Sequence, residues 1–370
     1  MPNTTLDAVE DPTLGNVIAG TGMFVPENVV TNQDLARIMD TSDDWITTRT
    51  GVKERRFVDP GVGSSDLAIE ASRRSLADAG ADPGQVDLLV TATMTPDHFA
   101  PGIAGLVQSG LGLGHVAAFD IRQQCSGFLY ALDLADSMIV SGKAETALVV
   151  GAEVHAGFLP WSQATWDRLL GRNEKPLSDA DYARNTEHRG WSVIFGDGAG
   201  AMVLRRGDRG DEGLLATSLH TDGAGFELIW VPGIGFKQRP YVSSEQLERD
   251  AHLPVMDGGS LFRSAVRLMP EAAREVTARS GLTIDDVDVV VAHQANERIL
   301  EGMRRQLGVG AEKVPSNIGG YGNTTAATLP ILYHELRQAG RVGPGRLVCF
   351  AAFGAGAHYG AALYREPAGR

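Results

Sequence analysis

An internal duplication constrains the fold of this chain more than any other feature of its sequence. In the first half the segment ADPGQV leads into the apolar run VDLLVTATM, and in the second half GLTIDDV leads into VDVVVAHQAN. Each run is short, rich in Val or Leu and introduced by a turn with Gly or Asp, which is typical of a buried strand. The two halves therefore share the same first pattern.

Three further pairs of segments follow in the same order. FDIRQQCSGFLYALDLA corresponds to NIGGYGNTTAATLPILYHEL, AETALVVGAE to GRLVCFAAFGAG, and FGDGAGAMVLRR to FGAGAHYGAALYRE. Four ordered correspondences are improbable by chance. Strands that alternate with helices predict parallel or mixed sheets covered by helices. Two such halves predict an α/β protein with layers in the order α/β/α/β/α.

The boundary between the halves is expected in the polar stretch RRGDRGDEG, which gives an N-terminal half over 1–204 and a C-terminal half over 205–370. A long polar segment, about 155–189, interrupts the first half. It contains Trp161 and Trp166, which a purely solvated loop would not need. Because loops of this length in compact domains are usually functional or disordered, we predict a cap or a dimer contact here.

Composition excludes several classes of protein. A hydrophobic fraction of 43% with 21% charged residues is ordinary for a globular protein. The sequence has no apolar run of about 18 residues and no signal-peptide pattern at its start, so we expect no membrane span and a cytoplasmic location. The net charge of −13 argues against nonspecific nucleic-acid binding. Two cysteines without zinc spacing predict neither a disulfide framework nor a metal site.

Cys125 is the candidate nucleophile. It lies at the start of the helical pattern of SGFLYALDLA, with Gly127 close behind it. The positive end of a helix dipole lowers the pKa of a thiol, and we therefore expect a reactive thiolate. A small buried hydrophobic residue is the commoner role of a free Cys. The local sequence alone leaves both interpretations open.

His293 and Asn323 are the candidate partners of Cys125. His293 ends the buried strand of VDVVVAHQAN, where α/β proteins bind ligands, although it could be a satisfied core histidine. Asn323 precedes a small-residue helix start in YGNTTAAT, where it could be a simple N-cap. In the duplication Asn323 is expected to take the place of Cys125, and His293 that of Ala92. The three residues should then converge on one cleft.

Six motifs occur in a characteristic order over nearly the whole chain: TSDDWITTRTGVKERR, FDIRQQCSGF, IFGDGAGA, VAHQAN, YGNTTAAT and FGAGAHYG. Together they resemble the β-ketoacyl-acyl carrier protein synthase III family. The resemblance implies a five-layered, thiolase-like αβαβα fold and a catalytic triad of Cys125, His293 and Asn323. It also implies transfer of an acyl group from acyl-CoA to Cys125, followed by decarboxylative condensation with a malonyl thioester. No permanently bound cofactor is expected.

The same resemblance assigns the remaining contacts. The backbone N–H groups of Cys125 and Ala355 would form an oxyanion hole, while His293 and Asn323 would donate to the malonyl thioester and act mainly after acylation. The residues expected to bind coenzyme A are Trp45, which would stack on adenine, Arg49, Arg189 and, on the pantetheine arm, Asn296. Phe99 and Ala100 would border the acyl pocket across a homodimer interface.

Three arginines that follow HQAN complete the predicted surface. Arg298, Arg304 and Arg305 fall on roughly one face of a helix and would suit an acidic carrier protein. An ordinary solvated helix face is the alternative. Malonyl-acyl carrier protein or malonyl-CoA, the acyl carrier protein and a second copy of this chain are therefore the expected partners.

Departures from the family pattern keep other functions open. Gly354-Ala355-Gly356 stands where a glycine triplet is frequent, His358-Tyr359 replaces the usual Thr-Trp, and Ala100 stands where a bulky residue shortens the acyl pocket. A relative in secondary metabolism that transfers the acyl group to a hydroxyl, an amine or a second acyl chain is the main alternative. A degradative thiolase uses a second catalytic Cys. This function is disfavoured because the other cysteine, Cys349, lies within the strand pattern LVCFAAF. A non-catalytic partner subunit is disfavoured because all three candidate catalytic residues are present.

Overall fold

The computed structural model describes residues 15–207 and 210–368. The strands in these ranges are β1 (Asn16–Phe24), β2 (Asn28–Thr31), β3 (Glu54–Phe57), β4 (Leu88–Ala92), β5 (Ala117–Ile121), β6 (Thr146–Glu153), β7 (Gly198–Arg206), β8 (Gly213–Thr221), β9 (Ile229–Trp230), β10 (Val255–Met256), β11 (Val289–Ala292), β12 (Leu347–Gly354) and β13 (His358–Arg365).

The α helices are α1 (Asn32–Ala36), α2 (Asp43–Thr50), α3 (Ser64–Asp78), α4 (Ala104–Leu111), α5 (Gly127–Val140), α6 (Gln163–Leu169), α7 (Asp179–Glu187), α8 (Arg189–Ser192), α9 (Ser244–Glu248), α10 (Gly258–Arg279), α11 (Glu297–Leu307), α12 (Ile318–Tyr321) and α13 (Thr328–Gln338). Short 3₁₀ helices span Pro83–Gln85, Gln124–Ser126, His155–Phe158, Gly223–Leu228, Ile284–Asp286 and Thr325–Ala327. No helix of the described ranges is long and apolar enough to cross a membrane.

Two sheets of matching topology form the body of the protein. The first has the strand order β1-β7-β6-β4-β5, and the second has the order β8-β13-β12-β11. In each sheet two neighbouring strands run parallel (β4 and β6, β11 and β12), and the strand that follows in the chain returns antiparallel (β7, β13). The repeated order confirms the duplication that the sequence predicts.

The two halves keep one register over most of their length. Helices α3 and α10 end at Asp78 and Arg279, and strands β6 and β12 begin at Thr146 and Leu347, so that each pair is 201 residues apart. The 3₁₀ helices Gln124–Ser126 and Thr325–Ala327 obey the same spacing. Both begin with a non-glycine residue in the left-handed region, Gln124 at φ 51° and Thr325 at φ 42°.

This register corrects one expectation. His293 does take the place of Ala92, but the counterpart of Cys125 is Ala326, the second residue of the matching 3₁₀ helix. Asn323 lies three residues earlier, in the loop before that helix. The repeated sequence pattern pairs Cys125 with Asn323. The backbone instead pairs the 3₁₀ turn Gln124–Ser126 with the turn Thr325–Ala327.

Five layers follow from the way the helices cover the sheets. Helices α5 and α13 lie between the sheets, and one apolar cluster joins them to strands of both sheets. In α13 the buried apolar residues recur at helical spacing, at Leu329, Leu332, Tyr333 and Leu336. Helices α3 and α4 cover the outer face of the first sheet, and α10 and α11 cover the outer face of the second. The αβαβα architecture predicted from the sequence is therefore present.

The segment about 155–189 is ordered and has a core of its own. It contains α6 and α7, and its Trp161 and Trp166 pack edge to face against Phe57 at centroid distances of 5.9 and 5.3 Å. These rings belong to an apolar cluster that also includes Ile38, in the turn after α1, and Ile46 of α2. The role of this segment as a cap, and the division into 1–204 and 205–370, remain predictions; β7 itself continues to Arg206.

The close contact between the halves predicts a matched pair of glycine substitutions. A Cβ on Gly151 of β6 would lie 2.5 Å from the backbone oxygen of Ala326, whereas a Cβ on Gly105 of α4 would meet open space. We expect Gly151→Ala to destabilise the protein by about 1–3 kcal/mol, because backbone must move. Gly105→Ala should stabilise it by about 0.5–1 kcal/mol. Urea unfolding measures both, and a Gly151→Ala protein as stable as the wild type would contradict the close contact.

Candidate active site

Cys125 is held at the start of the central helix α5, as its sequence context predicts. It is the middle residue of the 3₁₀ helix Gln124–Ser126, and α5 follows directly. Ser126 anchors this turn by donating from Oγ to the backbone oxygen of His358 at 2.8 Å. A Cβ on Gly354 would lie 2.9 Å from the backbone nitrogen of Cys125. The absence of a side chain at Gly354 therefore lets the end of β12 reach the Cys125 backbone.

His293 follows the last residue of β11 and is held in place from both sides. Its backbone N–H donates to the oxygen of Ala351 at 2.8 Å, and its Nδ1 lies 2.7 Å from Thr328 Oγ1. The Thr328 hydroxyl also donates to the oxygen of Thr325 at 2.9 Å. With its one hydrogen used there, Thr328 accepts from Nδ1–H, and Nε2 of His293 is left as a hydrogen-bond acceptor. If the hydroxyl turned to donate to Nδ1, Nε2 would carry the proton instead.

Burial makes both His293 and Cys125 neutral. It lowers the pKa of His293 to about 3, and the side chain is only 2% exposed. Burial also raises the pKa of Cys125 to about 12, with a further contribution from the nearby carboxylate of Glu153. The expected lowering of the thiol pKa by the helix dipole is therefore wrong, because loss of hydration outweighs it. The resting pair is a thiol and a neutral imidazole.

Asn323 has a defined amide orientation. Its Oδ1 accepts from the backbone N–H of Thr325 at 2.8 Å, so its Nδ2 hydrogens remain for another acceptor. The backbone of Asn323 bridges to the first half, since its N–H donates to Ile194 at 2.9 Å and its oxygen accepts from Gly196 at 3.2 Å. Residues of both halves thus fix the position of Asn323.

The three residues border one cavity, here called the central cavity. Its volume is about 160 Å³, and its lining includes Cys125, His293, Asn323, Asn296 and Ala355. The rest of the lining is mostly apolar and comes largely from one face of α10, with Leu261, Phe262, Ala265 and Met269, together with Phe195, Ile229 and Phe353. A mostly apolar cavity with a few polar groups in its lining is suited to a substrate arm with a reactive thioester.

Two further cavities adjoin the central cavity. The outer cavity, of about 390 Å³, shares Gly258, Phe262 and Asn296 with it. The side cavity, of about 440 Å³, shares Cys125, Phe195, Ile229 and Ala355 with it. Cys125 therefore lies where the central and side cavities meet, with space on both sides of its thiol.

The residues predicted to bind coenzyme A lie near the outer cavity. The guanidinium groups of Arg49 and Arg189 lie 4.5 and 5.0 Å from the centroid of the Trp45 ring. Arg189 also forms an ion pair with Asp40 at 3.1 Å. Asn296 caps α11 by accepting from the backbone N–H of Arg298 at 2.9 Å, and its Nδ2 donates to the oxygen of Arg49 at 3.0 Å. The structure brings these predicted residues together.

Two of the three arginines of the predicted basic surface are exposed to solvent. Arg298 and Arg305 are exposed, but Arg304 has a side chain only 14% exposed. Its guanidinium binds Glu297 at 2.7 Å and the oxygen of Val314 at 2.8 and 3.0 Å, so the expectation that Arg304 docks a partner is wrong. Arg263 of α10, which sequence reasoning missed, lines the outer cavity with Arg49 and Arg298. No motif marks it, because it comes from a different helix.

Phe99 and Ala100 are on the surface of the single chain. Phe99 is 53% exposed and packs against Phe236 and Tyr241, at centroid distances of 5.4 and 5.7 Å. Neither residue belongs to the lining of the side cavity, so their contribution to an acyl pocket across a dimer interface stays a prediction. The lining of the side cavity comes instead from residues such as His155 and Phe158, which begin the 155–189 segment.

Sequence reasoning also missed Glu153, a fully buried carboxyl group at the end of β6. It accepts from Thr95 Oγ1 at 2.6 Å and from the backbone N–H of Met94 at 3.2 Å, and a weaker bond of 3.4 Å comes from the N–H of Ala326. Burial raises the pKa of Glu153 to about 7. The only signal in the sequence is an acidic residue directly after six apolar or small strand residues.

Comparisons with known proteins agree with this geometry. The family model described as 3-oxoacyl-[acyl-carrier-protein] synthase III matches residues 119–171 and 178–223, and the model of its C-terminal region matches 277–366. The β-ketoacyl-[acyl-carrier-protein] synthase III of Rhodospirillum rubrum is 43% identical over 95% of this chain and 99% of that protein.

Solved structures agree with the fold over nearly the whole chain. The crystal structure of 3-oxoacyl-[acyl-carrier-protein] synthase III from Aquifex aeolicus is 39% identical, with a TM-score of 0.81, and the match covers 95% of this chain and all of that one. The priming β-ketosynthase of the R1128 polyketide pathway is 30% identical, with a TM-score of 0.81, over 96% of this chain and 97% of that one. The fold is thiolase-like, and the chain belongs to the 3-oxoacyl-[acyl-carrier-protein] synthase III family.

Proposed function

We propose that this protein primes fatty-acid or polyketide synthesis by loading an acyl group from acyl-CoA onto Cys125 and condensing it with a malonyl thioester to a 3-oxoacyl product. One observation supports this proposal above all. Cys125, His293 and Asn323 border the same cavity in a chain that belongs to a family of condensing enzymes. Membership of the family indicates the class of reaction, and the shared cavity indicates which residues would catalyse it.

In the loading step the Cys125 sulfur attacks the thioester carbonyl of acyl-CoA. With a thiol pKa of about 12, almost no thiolate is present at neutral pH, so the proton must leave as the bond forms. Nε2 of His293 is the acceptor for this proton, since Nδ1 is engaged with Thr328. The oxyanion would be held by the N–H groups of Cys125 and Ala355. When the carbon–sulfur bond to coenzyme A breaks, the leaving sulfur takes the proton.

In the condensation step the malonyl thioester loses carbon dioxide, and the electron pair of the broken bond moves into an enolate. The Nδ2–H of Asn323 is free to donate to the enolate oxygen, because its Oδ1 is bound to Thr325. Nε2–H of His293 can donate as well when the Thr328 hydroxyl turns toward Nδ1. The enolate carbon then bonds to the acyl carbon, and the Cys125 sulfur leaves as a thiolate and takes a proton from solvent.

The substrates would enter through the outer cavity. Arg49, Arg263 and Arg298 line it, and such a set of guanidinium groups suits the phosphates of coenzyme A or of a carrier protein's phosphopantetheine. The apolar central cavity would hold the pantetheine arm, with Trp45 and Arg189 beside the adenine. The family membership supports acyl-CoA and a malonyl thioester on an acyl carrier protein as substrates.

A homodimer is the proposed assembly. Strand β5 ends the first sheet, has β4 as its pairing partner and exposes most of its residues, among them Phe119 at 39%. An exposed apolar strand edge is a ready pairing surface, and a second copy of β5 would continue the sheet. Such a dimer would also bring the loop of Phe99 and Ala100 toward the partner chain.

The proposal is tested by intact mass spectrometry and product analysis. Acyl-CoA should add one acyl mass to the wild type at Cys125, and malonyl-acyl carrier protein should then remove it with release of carbon dioxide. Cys125→Ala should not load. Asn323→Ala should load normally and condense roughly 10²–10³-fold more slowly, because a donor to the enolate is lost. His293→Ala should slow both steps; this departs from the expectation that His293 acts mainly after acylation, because a neutral thiol needs a base for loading.

Other outcomes have distinct meanings. Acylation of the Cys125→Ala protein would exclude Cys125 as the acyl carrier. An Asn323→Ala protein that loads as slowly as it condenses would contradict its role at the enolate. Loading without carbon dioxide release, followed by transfer to a hydroxyl or amine, would replace condensation by simple acyl transfer, which the same three residues could support.

The neutral resting state of the thiol predicts its alkylation rate. Iodoacetamide reacts with thiolates, so the rate at Cys125 should rise about tenfold per pH unit from pH 7 to 10 without a plateau, since burial raises the pKa of Cys125 to about 12. Glu153→Gln removes a nearby negative charge and should speed alkylation above pH 7, where Glu153 with its pKa of about 7 is ionised. Glu145→Gln, at an exposed position, is the control. A plateau near pH 7 would contradict the raised pKa of the Cys125 thiol.

The exposed arginines of α11 predict selectivity between two acceptors. The double variant Arg298→Glu, Arg305→Glu should raise the KM for a malonyl-acyl carrier protein about 5–10-fold, mostly at low salt, because surface charges steer association. The kcat with malonyl-CoA should change little. Arg73→Glu on α3, at the opposite outer layer, is the control. No effect on either acceptor would mean that the arginines form an ordinary solvated surface, and equal effects on the KM of both would mean that Arg298 binds the phosphate that the two acceptors share.

A further inference from the structure

The 3₁₀ turn Thr325–Ala327 sets the direction of the Asn323 amide. The N–H of Thr325, the first residue of the turn, donates to Oδ1 of Asn323 at 2.8 Å. The backbone of Asn323 is fixed separately, through Ile194 and Gly196. Within the described ranges the bond from Thr325 is the only hydrogen bond of the Asn323 side chain. A movement of this turn would therefore rotate the amide and displace its Nδ2 hydrogens.

Thr325 has a backbone conformation that its own side chain disfavours. Its φ of 42° lies in the left-handed region, where a β-branched residue is a genuine outlier. Such a conformation persists only where the surrounding structure holds it. The position of the Thr325 N–H, and with it the direction of the Asn323 amide, thus depends on contacts that reach the turn from other parts of the chain.

Strand β6, which belongs to the first half, supplies such contacts. Oε1 of Glu153 accepts from the N–H of Ala326, the middle residue of the turn, at 3.4 Å. The Thr325 hydroxyl also lowers the pKa of Glu153 against the effect of burial, so it faces the same carboxyl group. Two residues earlier on β6, a Cβ on Gly151 would lie 2.5 Å from the backbone oxygen of Ala326. Strand β6 therefore contacts the turn at both an N–H and a carbonyl group.

Glu153 is in turn held from the side of the strand that precedes it in the sheet. Its fully buried carboxyl group accepts from Thr95 Oγ1 at 2.6 Å and from the backbone N–H of Met94 at 3.2 Å. Thr95 Oγ1 itself accepts from the N–H of Val154 at 2.9 Å. Glu153 is not in the lining of the central cavity or the side cavity, so it would act through the turn and not by touching a substrate.

We infer that Glu153 is a positioning residue for the condensation step. By holding the turn Thr325–Ala327, it keeps the amide of Asn323 directed at the enolate oxygen. The inference rests on the proposed function, because that function makes Asn323 the donor to the enolate. Loading of Cys125 does not use this amide. Glu153 should therefore matter for decarboxylation and carbon–carbon bond formation, and much less for acyl transfer to the thiol.

Two substitutions of similar size separate the hydrogen bond from the charge. Glu153→Gln removes the charge but keeps an oxygen that can accept from the Ala326 N–H, whereas Glu153→Met removes both. Loading from acyl-CoA and carbon dioxide release from malonyl-acyl carrier protein are measured on the full-length protein. The two variants should load within about threefold of each other. Glu153→Met should condense about tenfold more slowly than Glu153→Gln, in kcat and not in KM, because a displaced donor weakens catalysis more than binding.

A double-mutant cycle separates positioning from a general structural role. In the Asn323→Ala background there is no amide to direct, so Glu153→Met and Glu153→Gln should condense within about twofold of each other. Thr95→Val is a milder second variant, which removes the 2.6 Å bond to Glu153 and leaves the carboxyl group in place. It should slow condensation about threefold with loading unchanged, and it serves as the test if Glu153→Met does not fold.

The outcomes distinguish the inference from the proposed function. If Glu153→Met condenses as fast as Glu153→Gln, or if the tenfold difference persists in the Asn323→Ala background, the inference is wrong and the proposed function stands. Equal losses of loading and condensation in Glu153→Met would also overturn it, because Glu153 would then support the site as a whole. Unchanged condensation in Thr95→Val has the same meaning where Glu153→Met does not fold. If the wild type does not load Cys125 or does not release carbon dioxide, the proposed function itself fails.

Discussion

The approach of two backbone turns to two strand ends is the constraint on which the rest of this structure depends. The turn of Cys125 meets the end of β12 at Gly354, and the matching turn of Ala326 meets the end of β6 at Gly151 and Glu153. Both contacts join one half of the chain to the other. They fix the distance between the sheets at the point where α5 and α13 begin, and so they determine where the cavities can open. A side chain at Gly354 or Gly151 would force the halves apart.

The duplication creates two equivalent positions, each where a turn meets the end of a strand from the other half. One of them borders a cavity, and a side chain occupies the other. At the first, the N–H of Cys125 faces the end of β12, where Gly354 carries no side chain. At the second, the counterpart of Cys125 is Ala326, and the counterpart of Gly354 is Glu153, whose Oε1 lies 3.4 Å from the Ala326 nitrogen. The carboxyl group thus occupies the region that is left free beside Cys125. The same fold gives a cavity in one place and a buried polar cluster in the other.

The sequence predicted the fold and most of the site because both depend on local patterns. Apolar runs, turns and their repeated order were sufficient for the five layers, and strand ends were sufficient to bring His293 and Cys125 to one cavity. Burial and side-chain contacts that are set by tertiary packing were not predictable in this way. Burial of the Cys125 turn reversed the expected pKa shift, Arg304 turned inward to Glu297, and Arg263 joined the outer cavity from another helix. Each of these depends on packing that no local motif records.

The polarity of the site follows from the same packing. Cys125 and His293 are neutral because burial removes water from both, so a proton must be transferred only when a substrate's thioester is present to take the charge. The Thr328 hydroxyl can accept a hydrogen bond from Nδ1 of His293 or donate one to it, so the imidazole can stay neutral with the proton on either nitrogen. His155 is neutral for the same reason, because burial lowers its pKa to about 4, and its Nδ1 donates to the backbone oxygen of Gly196. Reactivity at this site therefore depends on the direction of hydrogen bonds between neutral groups.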